Sequence, residues 1–593
     1  MLGIKINGEF LSLAPNTFLE LEQANPFLQF QDEISGQFSL PFEVDASPRN
    51  LRLLNYAGII QNKIDNKGID AEMYDNGLQV SVGKIKIEKP THNLNRTADG
   101  TISCYYLTGS SSFYQDIKDK KLKDIDVGGV RTFPWDDPSI LNFLPDGAGF
   151  WGHIHDVIDA DINAYDYAFY PVINKGFLNV FGDSELLNNM IWDPGDARIY
   201  FNKLTTDHKD INLIVPFPYL HYVLKQAVEF VGWKIEGDIL SDADFLKITI
   251  INFLAIDWGV YPGGVFPVFG HPFVNFNLQN HLPDMTIAEF LIALKNRFGW
   301  WYDFDKVSKK IRIKKLSAVT NTAIKDFTKY ASPVVVKKIN QTDKIYALTQ
   351  RFAGDYADGQ PDFTNVNLQG SVETIADLPA VTDSNYGHVY LVRLENNFYI
   401  NALDETDNTL KWMFFTYNIW DYLPANHTEE INTACVTLGS EKYVDSLNYQ
   451  DFLPRIDAVG AKDRSGDDTG LSSLIVLFYH GQKDNANGDP LCYASSHIYD
   501  EAGNKIADWS LAYKCEELDG TQVGLYDLNW KPLLDLLKSA EELEATLYLP
   551  LDEYLKLDFG NRLIIAGVKM FILQLKPKIP YAKTIAIETV RIL

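Results

Sequence analysis

From Phe18 to about Tyr106, apolar and polar residues alternate, as in FLELE, GQFSLPFEV and IDAEMYDNGLQVSVGKIKIE. Successive side chains on a strand point to opposite faces, so a period of two predicts strands with one face buried and the other in water. Asp75-Asn76-Gly77 interrupts the third run. Asn and Gly tolerate positive φ at little cost, so a tight hairpin is expected there. TISCYYLTG continues the strand pattern. Between about Ser110 and Leu204 the alternation weakens, and Pro, Gly, Asp and aromatic residues mix in PWDDPSILNFLPDGAGFWGHIHD. That mixture predicts loop-rich connecting structure with short elements.

The period then changes from two to between three and four. Beginning near Pro218, Leu220, Val223, Leu224, Ala227, Val228 and Val231 share one helical face, and Gly232 stops the helix. In a second helix Thr286 and Glu289 have capping-box spacing, Ile287, Phe290, Leu291 and Leu294 form the apolar stripe, and Gly299 ends it. Each helix runs into strand-like sequence, WKIEGDI after the first and WWYDFDKVSKKIRIKK after the second, with Lys306 near the turn of a hairpin.

From about Asn365 to Leu410 the character shifts again. GHVYLVRL and NNFYINA pair naturally around Glu395-Asn396-Asn397, which predicts a small β module inserted between other strands, an arrangement that costs little at a surface loop. Beyond it come strands (KWMFFTYNIW, SSLIVLFYHG), turns rich in Asp, Asn and Gly, and a helix from roughly Trp530 to Ala540. That helix carries Leu533, Leu534, Leu536 and Leu537 on one side and Pro532 in its first turn. RLIIAGVKMFILQLK and AKTIAIETVRIL close the sequence as strands.

These patterns predict a β-rich, multidomain α+β protein. They divide it into an N-terminal β domain over residues 1–110, a loop-rich connecting region over 111–205 and an α+β domain with two amphipathic helices over 206–364. A small inserted β module follows over 365–412, then a C-terminal β domain with one helix over 413–593. At 593 residues, roughly 150 per domain gives about four domains. A hydrophobic fraction of 46% with 22% charged residues is that of a folded chain, so wholesale disorder is excluded.

Charge narrows the partners. With 79 acidic and 53 basic side chains the net charge is -26, and the carboxylates are scattered, so phosphate backbones and anionic lipid are repelled. The most basic stretch, Lys306 to Lys315, reads as a strand with outward lysines rather than a nucleic-acid patch. The four cysteines (Cys104, Cys435, Cys492, Cys515) form no CxxC pair; a Cys492–Cys515 bridge and two buried free thiols both fit the pattern. The start, MLGIKINGEFLSLAP, reads as a strand and lacks the basic and apolar regions of a signal peptide. No run approaches the roughly 18 apolar residues of a membrane span. Synthesis in a cytoplasm, with or without assembly into a particle, is the expected location.

Candidate chemistry is sparse. His153 and His155 stand beside Asp156, Asp159 and Asp161; on a strand, alternate residues share a face, so the two imidazoles are candidate metal ligands, with a solvated loop as the competing reading. Asp484 to Asp489 and Asp463 to Asp468 resemble calcium loops in composition. Neither has the closing Glu in register, and Asx-rich hairpin turns explain both. Trp300, Trp301 and Tyr302 are a candidate sugar platform at a helix-to-strand junction where core packing is commoner, with Trp301 the ring expected to be more exposed. GxSxG, HExxH and Gly-rich phosphate loops are all missing, so no catalytic residue and no cofactor are assigned.

Four stretches resemble the tail-hub or tail-associated proteins of phages and prophages of Bacteroidetes-type hosts. They are ISGQFSLPFEVDASPRNLRLLNYAG, IVPFPYLHYVLKQAVEFVGWKIEGD, NLQNHLPDMTIAEFLIALKNRFGWWYDFD and LYDLNWKPLLDLLKSAEELEATLYLPLDEYLKLDFGNRLIIAGVKMFILQLK. The resemblance implies β-barrel-like domains flanking a mixed α+β region and a homotrimer around a threefold axis. It further implies a virion structural role at the tail tip, joining the tail tube to distal fibre or spike proteins after assembly in the host bacterial cytoplasm. A glycan-binding adhesin acting through the inserted module and a tail-carried cell-wall hydrolase are the alternatives.

Overall fold

The computed structural model describes residues 1–25, 34, 37–56, 68–90, 100–134, 149–174, 186–195, 197–201, 214–256, 273–305, 307–320, 324–338, 345–349, 367–393, 397–404, 409–415, 418–420, 428–431, 435–444, 450–456, 474–485, 487–500, 503–538, 541–557 and 559–592. The architecture is β-rich α+β, with several separate sheets and short helices between them.

The largest sheet has 14 strands and draws them from both halves of the sequence. Its early strands alternate as their sequence predicts: Leu2–Ile6 is buried at every second residue, and so is Leu19–Ala24. Their inward residues, with Val44, Met73, Ile85, Ile102 and Tyr106, build a core of their own. The hairpin at Asp75-Asn76-Gly77 forms between Ile69–Asp75 and Leu78–Pro90, with Asn76 at φ 50° and Gly77 at φ 84°. Both central residues therefore take the left-handed conformation that a two-residue turn matched to strand twist demands. A short helix, Pro48–Leu53, lies on this core, and its buried Asn50 stitches neighbouring backbone together: Ser12 N–H donates to Asn50 Oδ1 at 2.8 Å, while Nδ2 donates to the carbonyls of Ser12 and Asp45.

Pairing across the molecule unites the sheet. Leu19–Ala24 runs antiparallel to Val568–Ile579, with Leu19 opposite Ile579 and Gln23 opposite Leu575. Ile579 is thereby packed into the N-terminal core. The path continues through Ile585–Ile592 and Glu542–Leu547 to Val335–Lys338. The resemblance implied β-barrel-like domains flanking the mixed region. Among the described residues the pairing path instead stays open, ending on Glu9–Phe10 at one side and Val335–Lys338 at the other. Closure needs the two end strands to meet, and here the early and late strands meet in the middle of one sheet.

The mixed part is built as its periodicity predicts. The first helix is Leu220–Phe230, followed by Gly232 at φ 78° and the strand Lys234–Glu236. The second is Ile287–Phe298. Glu289 N–H donates to Thr286 Oγ, and the Glu289 carboxylate accepts from Thr286 N–H at 2.7 Å, closing the capping box. Gly299 ends it at φ 60° in the left-handed region, where a β-carbon would stand 2.9 Å from that of Asn529. The hairpin Trp300–Phe304 with Lys310–Lys315 follows, and Lys234–Glu236 joins it in parallel. Lys306 lies outside the described residues.

The stretch expected to be loop-rich does consist of short elements, including the helices Gly109–Ile117 and Phe150–Asp159, and it also supplies Phe113, Phe150, Trp151, Tyr167 and Phe169 to the main core. The inserted module forms its own four-stranded sheet from Asn367–Val372, His388–Val392, Asn397–Asp404 and Thr409–Phe415. Val392 pairs with Asn397 as the sequence suggested, and the sheet continues past residue 412 because Phe398 pairs with Phe415. Val389, Leu391, Phe398, Ile400 and Ala402 give it a small core. The late helix is Lys531–Lys538, with Leu533, Leu534 and Leu537 buried and Leu536 partly so.

The second helix, expected to be amphipathic, is buried nearly all round, Lys295 and Asn296 included, and its deepest polar residue is a charge. Arg297 lies on the helix Ile287–Phe298 and is fully buried; its guanidinium sits 4.6 Å from the ring centre of Tyr513 and donates to the Leu511 carbonyl, while Nε and Nη1 have no hydrogen-bond partner. A buried charge without an ionic partner costs several kcal/mol of desolvation, and an apolar residue of similar length removes that cost. Arg297→Met is therefore expected to leave the chemical-denaturation midpoint unchanged or raise it, by up to about 3 kcal/mol of stability. A loss of more than about 2 kcal/mol would show instead that the bonds to Leu511 and Tyr513 outweigh desolvation.

Candidate functional site

His153 and His155 lie on the helix Phe150–Asp159, not on a strand. At about 3.6 residues per turn, positions two apart are about 200° apart, so the expectation that the two imidazoles share a face is overturned. Phe150, Trp151, Ile154, Val157 and Ile158 recur at helical spacing and bury the helix against the core, which decides its period. His153 bonds through Nε2 to the Tyr167 hydroxyl and stacks on Phe133 at 4.3 Å; burial, aided by the charge of Arg131, pushes it down to about 4. His155 meets the edge of Tyr200 at 5.0 Å. Asp156, Asp159 and Asp161 are exposed. Among the described residues no three metal-ligating side chains converge.

The Asp484 to Asp489 loop is turn chemistry. Asn485 Oδ1 accepts the backbone N–H groups of Asn487 and Asp489, each at 2.9 Å, and Gly488 sits at φ 84° between Leu474–Asp484 and Pro490–Ser495. The second calcium-like loop, Asp463 to Asp468, lies outside the described residues. Trp300, Trp301 and Tyr302 are all buried, and Tyr302 Oη donates to the Leu291 carbonyl at 2.6 Å. Trp301, the ring expected to be exposed, is only 2% so. Both faces of the strand Trp300–Phe304 are covered over its first three residues, so alternation there no longer separates an inner face from an outer one, whereas its partner Lys310–Lys315 keeps the alternation.

The basic strand is neutralised where it stands. Lys310 meets Glu236 at 2.6 Å, Lys314 meets Asp303 at 3.2 Å, Lys315 meets Asp242 at 2.9 Å, and Arg312 reaches both Asp303 and Asp305. Such a strand offers phosphate little unspent charge. The four cysteines are separate, buried thiols, so the Cys492–Cys515 bridge is not formed; burial pushes each up to about 12, far from a nucleophile at neutral pH.

Two serine–histidine contacts escaped sequence reasoning because their members are remote or unpatterned. His497 Nε2 is 2.8 Å from Ser440 Oγ, and His480 Nε2 is 3.0 Å from Ser495 Oγ. The distances suit a nucleophile and its base, but all four side chains are buried, and His480 Nδ1 has no orienting partner. They are a polar seam inside the core. A small cleft of about 140 Å³ opens between the mixed part and the late loop and helical turn around Trp509 and Asn529, lined among others by Phe298, Trp300, Trp509, Lys315 and Asn529. Typical small-molecule sites run to about 300–1,000 Å³, and the Lys315 ammonium is already held by Asp242 and placed 5.8 Å from the Trp509 ring centre.

Among the places where exposed apolar groups gather, two bear on contacts with other proteins. On the terminal strand of the large sheet, Val335 is 60% exposed and its neighbour Val336 52% exposed, so both faces of the strand are bare. Lys337 beside them bridges Glu588 at 2.6 Å and Glu544 at 3.4 Å. The second place is the connection between the first two strands of the inserted module, which presents Ile375, Val381 and Tyr386. Among the described residues no helix is long and apolar enough to cross a membrane.

No family model matches the sequence, and no curated protein matches it. Among solved structures the chain is similar to the crystal structure of the 43 kDa tail protein of prophage MuSo2 from Shewanella oneidensis, at 9% identity and a TM-score of 0.32, over 99% of this chain and 97% of that one.

The buried histidines make stability depend on pH. Burial holds His281 down to about 3 and His480 well below its usual value, the latter helped by Lys247 and Lys483. Both stay neutral in the folded chain, whereas the unfolded chain binds protons at them below about 6.5. Stability conferred by the neutral forms is therefore complete above about pH 6.5 and declines as pH falls, by about 1.4 kcal/mol per pH unit for each histidine. Melting followed from about pH 7 to pH 5, where most carboxylates remain ionised, is expected to show this decline; a constant melting temperature would contradict it.

Proposed function

We propose that this chain is a non-enzymatic structural protein of a phage-type tail. One observation carries the reading: the large sheet, assembled from early and late strands, ends on Val335–Lys338 with its valines in water. A strand at a sheet edge carries a row of backbone donors and acceptors, and soluble proteins usually blunt or cover such an edge. Left apolar on both faces, it suits permanent contact with another subunit. The four hub-like stretches identified in the sequence support the same reading. The cysteines and the tryptophans Trp300 and Trp301 are packed in the core, and His153 and His155 are half-buried against aromatic rings, as expected where rigidity rather than turnover is the task.

Within the tail we place the chain at the tip, as a hub joining tube protein to distal fibre or spike components, and as a homotrimer. Lateral head-to-tail contacts through exposed strand edges close into a three-membered ring when each copy is rotated by a third of a turn from the last. The acidic composition, at a net charge of -26, suits a surface past which nucleic acid travels without adhering. Purified tails are expected to contain the chain, gold-labelled antibody to mark the distal end, and native mass spectrometry to show three copies. A Val335→Asp, Val336→Asp double variant is expected to fold yet fail to assemble. A monomer absent from tails, or a variant that assembles normally, would overturn the proposal.

A further inference from the structure

The inserted module offers a second, independent contact surface. Its first two strands, Asn367–Val372 and His388–Val392, run parallel, so the chain between them must cross over the sheet. That crossover is fixed from within. Thr374 and Asp377 form a reciprocal cap, with the Asp377 carboxylate accepting from Thr374 N–H and Oγ–H at 2.9 Å each. The Trp412 indole donates to the Pro379 carbonyl at 2.8 Å, and the buried Asn401 donates to the Thr382 carbonyl at 3.0 Å. Asn385 closes the next turn through Thr382 N–H and the Ala380 carbonyl.

Held in this way, the crossover turns large apolar side chains outward: Ile375 is 42% exposed, Val381 40% and Tyr386 56%. Fixing them in advance lowers the entropy that a partner must overcome. The flanking charge has one sign. From Asn367 to His388 the sequence contains Glu373, Asp377 and Asp383 and neither lysine nor arginine. The module is moored to the body at Glu516, whose carboxylate accepts from Ser371 Oγ at 2.5 Å and lies 3.9 Å from the Arg393 guanidinium; Ser371 is on the first strand and Arg393 just follows the second, at the end of the sheet where the crossover begins.

We propose that the crossover over residues 373–387 docks a partner protein whose contact face is basic around an apolar centre. Apolar knobs close in sequence to the exposed Glu373 and Asp377 find their complement in an apolar hollow bordered by lysine or arginine. A second copy of this chain docked crossover to crossover is a poor occupant, because each would bring Glu373 and Asp377 against the same carboxylates of the other. The surface does not depend on the tail assignment.

The test pans a random peptide library against the full chain, counter-selecting on an Ile375→Ser, Val381→Ser, Tyr386→Ser variant whose melting temperature is checked against the parent. Enriched peptides are expected to combine lysine or arginine with bulky apolar residues and to bind more weakly as salt rises. Binding is expected to fall at least about tenfold on the triple variant, as for the loss of central contact residues. Glu373→Lys, which leaves the apolar knobs in place, is expected to weaken the same peptides and flatten their salt dependence. Neutral or acidic winners, equal binding to the triple variant, or no enrichment would overturn the proposal. So would a glycan array on which a saccharide binds the parent and not the triple variant. All these readouts are independent of whether the chain is found in tails.

Discussion

The antiparallel pairing of Leu19–Ala24 with Val568–Ile579 is the constraint on which the large sheet depends. It converts two strand groups, each with exposed edges, into one surface and sends Ile579 into the N-terminal core. Side-chain bonds reinforce the seam: Asn25 Nδ2 donates to the Ile572 carbonyl at 2.7 Å, and Asp75, at the far hairpin, accepts from Tyr581 N–H at 2.9 Å. With the middle of the sheet occupied in this way, free edges remain only at its periphery, and the strand bearing Val335 and Val336 is one of them. The location of the proposed assembly surface thus follows from where the early and late strands meet.

A second regularity runs through the interior. Ionisable and reactive groups in the core are kept in neutral forms: histidines pushed down, thiols and the Tyr106 and Tyr554 phenols pushed up, all by burial first. Catalytic sites commonly pair groups whose environments drive their proton affinities toward the working pH. Here burial drives them away from it. Buried charges are kept where a partner meets them, as Lys84 is met by Asp70 and Asp116; Arg297 has no carboxylate, and its stack on Tyr513 couples the central helix to the late loop that carries Leu511.

Local signals in the sequence translated well into structure. Thr286, Glu289 and Gly299 delimit a helix because a cap, its reciprocal carboxylate and a left-handed stop act within one turn of the residues they name. Asn76-Gly77 fixed its hairpin for the same reason. What was not legible depends on distant partners. Nothing near Leu19 announces Leu575 or Ile579, so the open sheet was out of reach and separate barrels were the natural expectation. The helix carrying His153 was hidden because ten residues that follow closely on Pro145, Gly147 and Gly149 show barely three turns of pattern. Trp301 looked half-exposed because alternation says which side chains oppose one another, not whether the second face is covered. The serine–histidine contacts join residues 15 and 57 positions apart, a spacing that has no local signature.

The seam also sets an order of events in the cell. A ribosome adds about 5–20 residues per second, so Val568–Ile579 emerges on the order of a minute after Leu19–Ala24. Throughout that interval the early strands have a ready hydrogen-bonding flank and no native neighbour to fill it, the condition under which chains crowded on one messenger RNA join each other by mistake. Lys578, which bridges Glu20 in the finished molecule, arrives with the strand that ends the exposure. For a protein made in many copies at once, yield is then governed by how long nascent chains can be kept apart.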